Sequence, residues 1–81
     1  MNKPFHSVEI KPLHMYCKTA TITDSEGSVS AVVEDAPDGQ LLIWELDFEC
    51  SEVRRRLLLD ILFKYLDEQG RQYTVLWGYH R

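Results

Sequence analysis

Glu45, Asp47 and Glu49 occupy every second position of a short run, so on an extended strand their carboxylates share one face, with neighbours about 7 Å apart. Two carboxylates at such a separation can flank a water in an inverting glycosidase, one acting as base and the other as acid. The acid must also be desolvated so that its pKa rises, and this run brings no apolar pocket with it. The stripe therefore reads as a solvated or partner-facing surface, and Glu45, Asp47 and Glu49 are the expected partner-binding residues.

Cys50 stands just before Ser51, a good helix cap, where free helix amides could stabilise a thiolate. No histidine is spaced to act as its base, and no small residues around it suggest an oxyanion nest. Cys50 reads as a core residue. Cys17 reads the same way, because an isolated pair of cysteines supplies neither a CxxC nor a disulfide framework. His6, His14 and His80 occur in no HExxH-like spacing, and His14 and Cys17 point to opposite faces of an extended strand. No metal, no cofactor and no catalytic residue is expected, and a non-catalytic role is favoured over an enzyme.

Arg54, Arg55 and Arg56 fall in the first turns of a helix, an unfavourable end for cations by the dipole rule but a useful one for gripping an anion. They are the candidate anion-binding residues. An alternative function rests on them: an anion- or nucleotide-ligand-binding domain, or a small enzyme. Strand, short loop, arginine-bearing helix start, helix, glycine and strand is also the order around the coenzyme A pyrophosphate site of GNAT acetyltransferases, and residues 46–79 loosely resemble that segment. The resemblance implies a topology only. That family's motif sets glycines among its arginines, whereas Arg54-Arg55-Arg56-Leu57-Leu58 has none, and 81 residues are too few for a whole acetyltransferase.

The elements that must carry these residues follow from periodicity. Asp24-Ser25-Glu26-Gly27 separates a threonine-rich strand over residues 13–23 from a valine-rich one over 28–34. Asp35-Ala36-Pro37-Asp38-Gly39 turns the chain into a third strand over 40–50. There Leu42, Trp44, Leu46, Phe48 and Cys50 are expected inward, alternating with the acids. His6 to Ile10 can add a strand, broken from the next at Lys11-Pro12. A long helix then runs from the Ser51 cap to Gly70, and residues 72–79 form a last strand. The expected fold is α+β, in the order β-β-β-α-β with a possible extra N-terminal strand: a small antiparallel sheet of three to five strands covered on one face by a single long helix. The chain reads as one domain, residues 1–81.

On a helical wheel Leu58, Leu59, Ile61, Leu62, Phe63, Tyr65 and Leu66 sweep an arc of about 200°, wider than the stripe of a little over ~100° that one sheet covers. The surplus calls for burial by a second subunit or a partner, with Leu58, Leu59, Leu62, Phe63 and Leu66 as the expected dimer or partner face. Charge layout agrees with a protein partner. The net charge is -4, and residues 19–53 include no base at all, so nucleic acid, which needs a continuous basic face, is not the expected partner. No apolar run approaches the ~18 to 20 residues that span a bilayer, and Met1-Asn2-Lys3-Pro4 leads into no signal-peptide core. The expected protein is a small, acidic, cytoplasmic interaction or regulatory module, acting through an acidic sheet face and an apolar helix flank.

Overall fold

Among the described residues, four strands in succession, one α-helix and a final strand follow one another: β1 (His6–His14), β2 (Cys17–Asp24), β3 (Gly27–Asp35), β4 (Leu41–Trp44), α1 (Glu52–Glu68) and β5 (Tyr73–Leu76). The computed structural model describes residues 6–80. The opening Met1-Asn2-Lys3-Pro4, read above as lacking a leader core, lies outside them. The strands form one sheet in the order β1-β2-β3-β4-β5, antiparallel from β1 to β4, with β5 parallel to β4 at the edge. Parallel neighbours need a crossover, and α1 supplies it, so the fold is α+β with a mixed sheet and a single long helix against one face. No helix among the described residues is long and apolar enough to cross a membrane.

The core lies between α1 and that face. Ala20 and Ile22 of β2, Ala31 and Val33 of β3, and Leu41 and Ile43 of β4 are buried against Leu58, Leu59, Leu62 and Leu66, with Phe48 closing one end. Val8 and Ile10 of β1 and Tyr73 of β5 extend the same layer, and Tyr73 stacks on Phe63 with centroids 5.1 Å apart.

β4 departs from the expected alternation. It ends at Trp44, Glu45–Asp47 forms a 3-10 turn, and the inward residues of the strand are Leu41 and Ile43, not Leu42 and Trp44. The reason is visible in the run Leu41-Leu42-Ile43-Trp44, which is apolar on both faces and so carries no phase. The 3-10 turn then resets direction and returns Phe48 to the core, fully buried.

β1 also runs on where a break was expected. It continues through Lys11-Pro12 to His14, with a register irregularity between Pro12 and His14, and the chain reverses at Met15-Tyr16. An edge strand tolerates proline because the missing amide costs no internal ladder bond. Met15 takes the left-handed conformation, φ 49°, without the glycine or asparagine that usually announces such a turn.

Both helix ends are closed as the sequence predicts. The Ser51 hydroxyl accepts from the Arg54 amide at 3.2 Å. At the other end Gly70 has φ 69°, its amide donates to Asp67 O, and Arg71 N donates to Leu66 O, a Schellman closure. Arg71 then joins Lys18 on the carboxylate of Asp35, tying β2, β3 and the helix exit together. The Lys18 hydrogen bond, with Arg71 assisting and partial burial opposing, holds the Asp35 carboxyl below its ordinary value.

Candidate functional site

The expected site residues are dispersed by this fold. Leu58, Leu59, Leu62 and Leu66 are buried in the chain's own core and Phe63 is half-buried against Tyr73, so the apolar face assigned to a partner is taken by the sheet. The apolar helix side chains left exposed are Val53, at 75% exposure, and Leu57, at 57%. Glu45 and Asp47 belong to the 3-10 turn and Glu49 to the loop after it, so the three acids do not form a stripe on one strand face.

The three arginines serve different neighbours. Arg54 grips the carboxylates of Asp24 at 2.9 Å and Glu26 at 3.3 Å, and donates to Gly27 O. Arg55 donates to Phe48 O at 3.1 Å and Cys50 O at 3.4 Å, fastening the loop ahead of the helix. Arg56 is exposed, with the Glu52 carboxylate 3.9 Å away. Two of the three guanidiniums are therefore engaged in holding the fold. Cys50 is half-buried beside the core and its thiol donates to Phe48 O.

Two open depressions adjoin along the outer side of α1. The first, about 140 Å³, is lined by Glu45, Arg55, Leu59, Phe63 and Trp77 together with Glu52, Arg56 and Asp60. That volume is below the roughly 300 to 1,000 Å³ of ordinary small-molecule sites. Glu52, Arg56 and Asp60 also line the second, whose other walls are Val53 and Leu57; all of these belong to one helix, so no wall opposes it. Between them the two depressions set an indole that is 76% exposed on one side of a mixed-charge strip and two exposed aliphatic side chains on the other.

The opposite face of the sheet carries a cluster that no sequence spacing suggests. Cys17 and Glu34 are directly opposed on β2 and β3, on the side away from α1. The chain after β5 bends at Gly78, φ 121°, and is held there by Leu46 N donating to Gly78 O at 3.0 Å and His80 N donating to Asp47 Oδ1 at 3.2 Å. This places His80 Nε2 3.1 Å from Glu34 Oε1 and 4.0 Å from Cys17 Sγ. Trp44, on that same face, meets the imidazole edge-on with centroids 4.7 Å apart. Cys17 thus finds its histidine at position 80, not at the His14 of the local HxxC. The partners lie 63 residues apart, which leaves no local pattern to read.

Comparison with protein-family models, with curated proteins and with solved structures returned no match to this chain.

Proposed function

We propose that the chain is a non-catalytic protein-interaction module whose working surface is the outer flank of α1 with Trp77, and that the flank pairs with a second copy of the same chain. One observation carries this reading: Trp77 on one side, and Val53 and Leu57 on the other, border a strip of Glu52, Arg56 and Asp60. Tryptophan and arginine dominate binding energy at protein interfaces, and a large side chain in water is the group that gains most from being covered.

The charge order favours self-association. Glu52, Arg56 and Asp60 follow one another at four-residue steps, negative, positive, negative. In a two-fold pairing of antiparallel helices Arg56 of each copy faces an acid of the other, while Val53 and Leu57 share the seam. Of the acids expected to bind a partner, Glu45 borders this flank, and Glu49 is exposed, available to steer a basic third component. A cytoplasmic setting suits the two free cysteines, which would stay reduced there.

Light scattering over a dilution series tests the reading on the unmodified chain and on Leu57→Asp. A dimer that the substitution converts to a folded monomer supports it. A monomer at every concentration of the unmodified chain rejects it.

A further inference from the structure

We infer that Cys17, Glu34 and His80 form a zinc(II) site on the sheet face opposite α1. Among the described residues these three side chains each present a ligand atom, Sγ, a carboxylate oxygen and Nε2, and the three atoms lie within 4.8 Å of one another. In a tetrahedral zinc site, bonds of about 2.0 Å to nitrogen and oxygen and 2.3 Å to sulfur set neighbouring ligand atoms roughly 3.3 to 3.6 Å apart. The separations of 3.1 Å and 4.0 Å from Nε2 to its two partners straddle that range, and the third, between Sγ and the carboxylate, is no more than 4.8 Å, so side-chain rotation is what must draw the three atoms onto one ion.

The arrangement is not that of a Cys-His-Glu triad. A triad uses both ring nitrogens, one toward the nucleophile and one toward the carboxylate. Here Glu34 and Cys17 both address Nε2. One ring nitrogen has either a proton to give or a lone pair to share, so it cannot donate to the carboxylate and accept from the thiol together. A cation at the centre satisfies all three atoms at once. Thiolate, imidazole and carboxylate together suit a borderline-soft ion with no geometric demand of its own, which is zinc.

The supports converge from two paired strands and the tail after β5. Cys17 and Glu34 sit in direct register on neighbouring strands, and His80 is fixed by the Trp44 edge contact and by its own amide on Asp47. Binding removes the thiol proton of Cys17 to solvent, so affinity rises with pH. Three protein ligands leave a fourth position for water on a face that the helix does not cover.

The test uses the full chain with cobalt(II) as the optical probe and zinc(II) in competition with a chromophoric chelator. The unmodified chain is expected to bind one zinc, and its cobalt form to show a sulfur-to-cobalt charge-transfer band that Cys17→Ser abolishes and Cys50→Ser keeps. His80→Ala lies outside every strand and helix, so the fold survives it, and it should weaken zinc binding at least tenfold, the lower end of what even supporting residues cost metal sites. Absence of the charge-transfer band in the unmodified chain, or its persistence in Cys17→Ser, overturns the site. Far-UV circular dichroism on each variant separates lost ligation from lost fold.

Discussion

Arg54, in the first turn of α1, sets its guanidinium 2.9 Å from the carboxylate of Asp24 at the end of β2, and the two side chains are only 16% and 18% exposed. An ion pair so shielded lies between a surface pair, worth under about 1 kcal/mol, and a fully buried one whose breakage costs about 3 to 5. A double-mutant cycle of Arg54→Ala with Asp24→Asn in urea should give a coupling of about 1 to 2 kcal/mol. Coupling near zero would mean that the helix start is not tied to the β2–β3 turn.

The same engagement predicts the behaviour of the arginine cluster toward anions. With Arg54 and Arg55 committed to Asp24, Phe48 O and Cys50 O, Arg56 alone has its guanidinium in water. Inorganic phosphate should raise the melting temperature no more than sodium chloride of matched ionic strength. An excess rise that Arg54→Ala removes would restore the cluster as an anion site.

Leu57 and Leu62 test which face of α1 is inside. Leu62 is fully buried and Leu57 is 57% exposed. Leu62→Ala should cost about 2 to 5 kcal/mol, enough to approach unfolding in a chain of this size, while Leu57→Ala should stay within about 0.5 kcal/mol at concentrations where the chain is monomeric. Chemical denaturation of the two variants decides it, and equal losses would place the helix at a different rotation.

These residues also show what was legible. Ser51 and Gly70 marked both ends of α1 because capping is a local matter of one hydroxyl and one positive φ. The role of the leucines was not local. An apolar arc on a wheel gives amount, but how much a sheet covers depends on its width, and here five strands bury Leu58, Leu59, Leu62 and Leu66 without help. β4 failed for a related reason: alternation from Leu42 to Cys50 is genuine in the sequence, yet the strand stops at Trp44, and a run apolar on both sides cannot say which face is core. The Cys17, Glu34 and His80 cluster depends on the β2–β3 register and on the bend at Gly78; the hairpin turn and the glycine can each be read locally, but nothing local shows that the bend carries His80 back over that strand pair.

Asp35 gives the fold an acid-sensitive joint. Its carboxyl is held below the ordinary 3.8, chiefly by the Lys18 hydrogen bond and further by Arg71. A carboxyl with a depressed folded-state pKa stabilises fully above the unfolded value and loses that contribution as pH falls through the folded value. Asp35→Asn should therefore destabilise by about 1 kcal/mol at neutral pH, and the difference from the unmodified chain should shrink as pH is lowered below about 4. Urea midpoints at several pH values measure it. A gap that stays constant into acid would assign the loss to packing instead of charge.

Gly78 sits at the bend after β5 that brings His80 to the open sheet face. Its φ of 121° is one that side-chain-bearing residues rarely adopt, although a Cβ there would meet no atom within 4 Å. The cost of Gly78→Ala is therefore backbone strain, of order 1 to 3 kcal/mol, and not a clash. The tail after β5 is held by only a few bonds, among them Leu46 N to Gly78 O and His80 N to Asp47, so that strain is enough to release it. Amide exchange at Leu46 should accelerate strongly in Gly78→Ala, while amides in the centre of β2 and β3 keep their protection. If Leu46 stays protected, the tail is anchored by contacts other than this bend, and the position of His80 beside Cys17 and Glu34 does not depend on Gly78.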